Sequence, residues 1–340
     1  MKIEQIYTGC IAHAAYYVEN KGEAAIFDPL REVQPYIDRA KKDNAKIKYV
    51  FETHFHADFV SGHLDLAQKE GAKIVYGPTA KPCFDALVAE DNQLFKVGDY
   101  TIKVLHTPGH TLESTTYLLI DENGKEHGII SGDTLFIGDV GRPDLAQHVI
   151  ADLTQDKLAR MLFHSLRNKI MPLSDDLIVY PNHGAGSACG KMMSKETTDT
   201  LGNQKKTNYA LRPDMTEDEF VNELLNGLTT PPAYFPKNVL MNIQGYESLD
   251  TIMHRGKIAL SLDDFEKLSA NKDILLLDTR RAEDFAKGFI PNSINIGLES
   301  NFAMWVGELI DNIKQKILLI TYPGKVEESI IRLSRVGYDY

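Results

Sequence analysis

Cysteine is scarce in this chain: 3 of 340 residues, at positions 10, 83 and 189, with no CxxC pair and an odd total. A disulfide-stapled scaffold is excluded on that count. Long apolar runs are also missing. Ile274–Leu277 and Ile317–Ile320 are among the longest, far short of the roughly 20 residues that a membrane-spanning helix needs. The opening Met1-Lys2-Ile3-Glu4-Gln5 has neither the apolar segment nor the cleavage site of a secretory signal, so a cytoplasmic protein without a membrane partner is expected. Basic residues are outnumbered, 37 against 48 acidic, for a net charge of −11, which argues against nucleic acid as the main partner. There is no internal repeat and no low-complexity stretch. What is present is a 43% apolar chain, long enough for two domains at roughly 150 residues each, either able to bury a core.

The first half alternates short β-branched and aromatic runs with helical stretches. Tyr16–Val18, Ala24–Phe27, Ile47–Phe51, Lys73–Tyr76, Tyr100–Leu105, Thr115–Ile120 and Gly128–Ile130 read as strands. Val33–Lys42, Val60–Glu70 and Thr154–Asn168 read as helices, the last with Leu158, Met161, Leu162 and Leu166 on one stripe. That pattern predicts a layered α+β or α/β domain. A helix over Thr216–Leu228 ends at Pro231-Pro232, with a further proline at 236, and these mark a boundary or an interdomain strap. A second unit starts near Ala259. Ser261 caps a helix with Asp264 three residues on, and buried strands Ile274–Asp278 and Ile317–Thr321 flank a polar helix before the helix Glu327–Arg335. Such βαβ alternation predicts a small parallel sheet.

Histidine and aspartate are grouped at strand ends. Lys48–Glu52 runs into Thr53-His54-Phe55-His56-Ala57-Asp58, where two imidazoles two residues apart point the same way in extended chain. His106-Thr107-Pro108-Gly109-His110, Ser131-Gly132-Asp133 and Pro181-Asn182-His183-Gly184 follow, each where a strand gives way to a Gly- or Pro-containing turn. One strand-end histidine is ordinary, but several such clusters point to a metal site, since imidazole and carboxylate are ligands for zinc and iron. His13, His127, His148, His164 and His254 lack clustered partners and are read as structural or surface residues, and His63 as structural.

This constellation resembles the metallo-β-lactamase superfamily, with its HxHxDH signature followed by separated His, Asp and His ligands. The resemblance covers roughly residues 1–240 and implies an αββα sandwich with the metal at one edge of the packed sheets. Phe59 stands where the signature has its last His, a ligand of the second metal, so a binuclear hydrolytic site loses a donor. Within the superfamily the chain resembles persulfide dioxygenases, through His54, Thr107-Pro108-Gly109-His110-Thr111, Gly132-Asp133-Thr134-Leu135 and Gly141-Arg142-Pro143-Asp144. That resemblance implies one mononuclear non-haem Fe(II) held by His54, His110 and Asp133. His56, Asp58 and His183 would then orient ligands or hold ordered water. Two His and one carboxylate leave positions for O2 and a substrate sulfur.

Arg142 is a candidate to bind a carboxylate or phosphate on a thiol carrier such as glutathione or coenzyme A, or else forms an ion pair with Asp139 or Asp144. Cys189 in Gly186-Ser187-Ala188-Cys189-Gly190 is a candidate sulfur-relay thiol, or else a small buried cysteine.

In the second unit Leu277-Asp278-Thr279-Arg280, Gly288-Phe289-Ile290-Pro291 and Ile294-Asn295-Ile296 resemble the rhodanese pattern, with Phe289 replacing a histidine. The loop Thr321-Tyr322-Pro323-Gly324-Lys325 matches the catalytic loop, with Thr321 in the cysteine's place. A silent rhodanese-like α/β domain over 241–340, incomplete at its C-terminus, is therefore expected. Packing, oligomerisation or presentation of a further rhodanese domain absent from this chain would be its role.

The reading is a homo-oligomeric, cytoplasmic enzyme. It would oxidise a low-molecular-weight thiol persulfide with O2 to sulfite and thiol, in sulfide detoxification. A glyoxalase II-like thioester hydrolase and a sulfur-carrier module with a vestigial metal site are the alternatives.

Overall fold

Two six-stranded sheets account for the β-rich half. The computed structural model describes residues 1–145 and 153–340, so the reading of His148 lies outside the described residues. The first sheet is β1 (Lys2–Thr8), β2 (His13–Asn20), β3 (Glu23–Phe27), β4 (Lys46–Phe51), β5 (Lys73–Tyr76) and β6 (Leu87–Val88), in chain order. It is antiparallel through β3 and parallel from β3 onward. The second comprises β7 (Leu94–Val97), β8 (Tyr100–His106), β9 (Thr115–Ile120), β10 (Glu126–Gly132), β11 (Ile178–Pro181) and β12 (Asp199–Thr200), again neighbours in sequence order.

The sequence of β2 shows why the layers stack as they do. Ala14, Tyr16 and Val18 point into a core shared with Ile102, Tyr117 and Ile130 of the other sheet. Ala15 and Tyr17 point the opposite way, under Tyr36, Ile37 and Ala40 of the helix Gln34–Lys42. A strand apolar on both faces must be covered on both. The outer face of the second sheet is covered by the helix Gln155–Ser165 through Leu158 and Leu162, which are fully buried with Leu166 in the turn that follows. Met161, placed on the same stripe by spacing, is 36% exposed instead. The result is the αββα sandwich.

Two departures from the sequence reading of the helices have a clear physical cause. The segment read as helical from Val60 begins its helix only at His63, because Val60 N–H donates to the Arg335 carbonyl and Ser61 N–H to the Asn242 side chain. Pro236 does not interrupt a helix but lies in the first turn of one, Phe235–Gln244, where its missing N–H costs nothing. A division at residue 240 falls inside that helix.

The C-terminal unit is a three-stranded parallel sheet in the order β14 (Ser293–Asn295), β13 (Ile274–Asp278), β15 (Lys316–Ile320), with the helix Val326–Arg335 after β15. Ser261 caps the helix Leu262–Ser269 by accepting from Asp264 N–H. The unit is clamped to the sandwich by Arg31, whose fully buried guanidinium donates to both Asp339 oxygens at 2.8 and 3.0 Å and to the carbonyls of Ser334 and Glu247. Arg335 pairs with Glu32 in the same seam.

Candidate metal centre

The ends of β4, β8, β10 and β11 open onto one edge of the sandwich, and the strand-end clusters meet there. The edge is sewn shut by Ala14 N–H to Asn182 C=O at 2.7 Å and Gly184 N–H to Ala12 C=O at 3.1 Å, which join β2 to the loop after β11. His54, His110 and Asp133 bring ligand atoms within 4.8 Å of one another, and all three are buried. Asp133 Oδ2 stands 3.4 Å from His110 Nε2 and 3.9 Å from His54 Nε2. Both Asp133 oxygens lack a hydrogen-bond partner. An unpaired buried carboxylate is costly, so a cation fits the set.

Hydrogen bonds orient both imidazoles. His110 Nδ1–H donates to the Arg142 carbonyl at 2.8 Å, which leaves Nε2 with its lone pair toward Asp133. The approach is so close that a Cβ on Gly141 would lie 2.2 Å from the Asp133 carbonyl oxygen and 2.9 Å from His110 Nδ1; only glycine fits. His54 Nδ1 lies 3.0 Å from Thr53 Oγ1. Burial, followed by the neighbouring His56 and His110 rings, holds the His54 pKa well below the usual imidazole value, so it is neutral, as a ligand must be.

His56 faces another way. Its Nε2 is 2.9 Å from Asp28 Oδ1 and 3.3 Å from Glu52 Oε2, all three side chains fully buried. Burial alone would lower its pKa, but the two carboxylates outweigh that and hold it well above the usual value. Asp28 also accepts from Thr53 N–H at 2.7 Å, and Glu52 from Ser61 Oγ–H at 2.5 Å. His56 thus ties the two carboxylates together beneath the loop 52–58, while Asp28 Oδ2, Glu52 Oε2 and His56 Nδ1 make no hydrogen bond. Asp28 and Glu52 were not singled out from sequence, although both are carboxylates at strand ends, which is the usable signal. His13, read as having no clustered partners, belongs here too: its ring centroid is 4.3 Å from that of Phe59 and 5.4 Å from that of His183, and Nε2 contacts the Asp28 carbonyl at 2.8 Å. Phe59, in turn, stacks on His56 at 4.3 Å. His63 is structural, fully buried with Nδ1 3.5 Å from Glu52.

Asp58, His183 and Cys189 form a second group within 4.8 Å of one another. Cys189, placed by sequence in a flexible loop, is 1% exposed, and burial followed by Asp58 and Asp133 pushes its thiol pKa up.

Arg142 presents no open fork. It is 3% exposed. Nε and one terminal nitrogen grip Asp144 at 2.6 and 2.7 Å, and the guanidinium also donates to the carbonyls of Ala188 and Thr229. Of the two readings left open by the sequence, the ion pair to Asp144 is the one formed here.

Sequence reasoning missed Asn242. Its buried Nδ2 donates to the carbonyls of His56 and Phe59, both at 2.8 Å, while Oδ1 accepts from Ser61 N–H at 2.9 Å. One side chain from the interdomain helix holds the loop 56–61. A cavity of about 330 Å³ opens on His110, walled by Phe55, Ala57, Leu145, Val239 and Ile243, with Lys81 and Glu113 also lining it.

The metallo-beta-lactamase superfamily profile matches residues 8–183. The chain belongs to that superfamily. A rhodanese-like domain matches residues 261–338. A metallo-beta-lactamase structure from Staphylococcus aureus subsp. aureus COL aligns over 99% of this chain and 96% of its own, at 32% identity and a TM-score of 0.86. ETHE1 from Myxococcus xanthus aligns over 71% of this chain and 98% of its own at 24% identity and a TM-score of 0.60, a likeness of fold. Among curated superfamily relatives, the hydroxyacylglutathione hydrolase of Tolumonas auensis is 31% identical over 173 residues, 49% of this chain and 60% of that protein. The two-domain architecture, a metal-binding sandwich followed by a rhodanese-like unit, is thus common ground for sequence, fold and comparison. Among the described residues no helix is long and apolar enough to cross a membrane.

Proposed function

We propose that the protein is a persulfide dioxygenase working on a low-molecular-weight thiol persulfide. The balance is RSSH + O2 + H2O giving RSH, sulfite and two protons: the terminal sulfur loses four electrons and dioxygen gains them. The observation that carries this reading is the donor set: two imidazoles and one buried, unpartnered carboxylate, His54, His110 and Asp133, converging on one point. That two-His, one-carboxylate set suits non-haem Fe(II) and leaves coordination positions open. Fe(II) bound there would supply the redox chemistry that joins dioxygen to sulfur.

The chain's own residues do the rest. The Arg142 carbonyl and Gly141 hold His110 and Asp133 in register. The apolar walls of the cavity beside His110 exclude water from the thiol arm, and the exposed Lys81 offers a cation to a carboxylate or phosphate on the carrier. Phe59, in place of an imidazole, and the rhodanese-like partner both favour sulfur oxidation over hydrolysis. Thioester hydrolysis is the second reading, favoured by the names of the curated relatives. The chain covers only 60% of that relative's length.

The test is anaerobic reconstitution of the whole chain with Fe(II), followed by O2 uptake and sulfite release with glutathione persulfide and coenzyme A persulfide. Uptake matched by sulfite supports the dioxygenase. No uptake, with hydrolysis of a glutathione thioester by zinc-loaded protein, overturns it.

A further inference from the structure

Cys10 and Cys83 are open to solvent, whereas Cys189 is buried. Cys10 has a guanidinium against its sulfur: Arg335 Nη1–H donates to Sγ at 3.2 Å. Arg335 ends the helix Val326–Arg335 of the rhodanese-like unit, and Glu32 grips its Nε and its other terminal nitrogen. The remaining nitrogen is thereby fixed toward the thiol. The unit without a cysteine of its own supplies the cation beside one in the sandwich.

Cys10 also borders a cavity of about 170 Å³, together with Asp58, Ser187, Tyr234, Asn301 and Met304. Tyr234 is 2% exposed, and among the described residues its hydroxyl has no hydrogen-bond partner. Burial, followed by Asp58 and Cys189, raises the phenol pKa well above its ordinary value, so the hydroxyl keeps its proton and stands on the Asp58 side of the cavity. A buried hydroxyl left unpaired costs free energy, and this one is free for an acceptor that enters. Its ring is seated firmly: a Cβ on Gly307 would fall 2.0 Å from Tyr234 Cδ1.

We propose that Cys10 accepts sulfane sulfur from a thiol persulfide, with the Tyr234 hydroxyl donating to the outer sulfur of the persulfide that forms on it.

The chemical class of the donor rests on the dioxygenase reading; the placement of the thiol, the guanidinium and the phenol does not. In the transfer, Cys10 as thiolate attacks the outer sulfur of RSSH. A bond forms between Sγ and that sulfur, the donor's own S–S bond breaks, and the leaving thiolate takes up the proton that Cys10 gave up. The balance is RSSH and Cys10–SH giving RSH and Cys10–SSH, with no oxidant or reductant. Arg335 stabilises negative charge on the attacking sulfur. Size limits what enters: at about 170 Å³ the cavity is smaller than the roughly 300–1,000 Å³ of pockets that enclose a whole ligand. It takes the persulfide group and leaves the carrier outside. Cys189, at 1% exposure, cannot meet a carrier at all. Cys83 is open, but among the described residues its sulfur accepts no hydrogen bond, which makes it an internal control.

In the experiment the whole chain is incubated with glutathione persulfide under strict anaerobiosis. Oxygen-dependent turnover is then absent, so this result and that of the dioxygenase assay are independent. Mass spectrometry after alkylation follows the gain of sulfur at each cysteine, and released glutathione is measured beside it. Cys10 is expected to gain sulfur at least about tenfold faster than Cys83, the effect of one charge-assisted hydrogen bond. Glutathione should appear in equal amount, and Cys189 should stay unmodified. Tyr234→Phe keeps the ring on Gly307; it should slow the gain of sulfur severalfold and leave alkylation of Cys10 by iodoacetamide at the wild-type rate. Arg335→Gln should slow both. Equal rates at Cys10 and Cys83 would overturn the proposal, as would a Tyr234→Phe chain that gains sulfur as fast as the wild type. The comparison of Cys10 with Cys83 is made within the wild-type chain, so a variant that failed to fold would not rescue it.

Discussion

At the end of β4 the chain enters a loop, 52–58, whose Glu52, His54, His56 and Asp58 are all buried; at the end of β15 it enters another, 321–325, that water reaches. Both follow parallel strands, and both are where an α/β scaffold concentrates function. In the first, four elements deliver donors to one edge, and several of those donors have only each other to face. In the second, Thr321 Oγ1 has Ser329 Oγ at 3.3 Å, and the Tyr322 hydroxyl donates to Asp284. The polar side chains there, Thr321, Tyr322 and Lys325, each have a local partner, and no thiol is present. A strand-end loop becomes a reactive site when convergence leaves buried donors unmatched, and of these two loops the one in the sandwich meets that condition.

Removing a donor from the convergent loop region should have the largest effect. Asp133→Ala is expected to lose bound iron and activity to background while the circular dichroism spectrum stays native, since the residue's oxygens make no hydrogen bond in the fold. Full iron retention, measured by elemental analysis, would show that the ligand assignment is wrong. Next in size is the seam between the two regions. Arg31→Ala leaves Asp339 buried without its partner, and denaturant unfolding should register a loss of about 3–5 kcal/mol. A change within about 0.5 kcal/mol would mean that the two units stand independently. Asn242→Ala tests whether the interdomain helix supports the metal loop: with the loop carbonyls unpaired, metal affinity should fall about 10–100-fold. Unchanged affinity would reduce Asn242 to a packing residue.

The smallest effect belongs to the open loop. The hydrogen bond to Asp284, followed by burial, raises the Tyr322 phenol pKa above its ordinary value. A raised phenol pKa contributes stability that is present below the unfolded pKa and is lost as pH rises through the folded one. Asp284→Asn should bring the Tyr322 titration, followed by NMR, down toward ordinary tyrosine without touching metal content. A change in metal content would break the contrast between the two loops.

Much of the fold was legible because its signals are local. Short β-branched and aromatic runs marked the strands, and the shift to helical spacing marked the covering layers. Ser261 with Asp264 announced a cap that the structure contains. The main donors were legible for the same reason: His54 and His56 declare themselves by their separation, and His110, Asp133 and His183 by sitting at strand ends. Residues whose meaning lies in distant partners were not. Asp28 is 28 positions from His56, and Asn242 is 186 positions from the carbonyl of His56 that it holds. For Arg142 the sequence left a ligand clamp and an ion pair both open, because a guanidinium in a Gly-Arg-Pro-Asp stretch carries no sign of its burial.

The sequence by itself determined which donor groups this chain carries and where they sit along it: strand-end imidazoles and carboxylates in the first half, and a rhodanese-like frame without its cysteine in the second. Tertiary structure alone decided which donors share a point. His54 and His56 are neighbours by motif, yet one ring faces Asp133 and the other is held by Asp28 and Glu52. Cys189 lies 131 positions from Asp58 in sequence and beside it in space. Spacing along a strand fixes only the face a side chain takes; where that face meets other donors depends on how the two sheets close on each other.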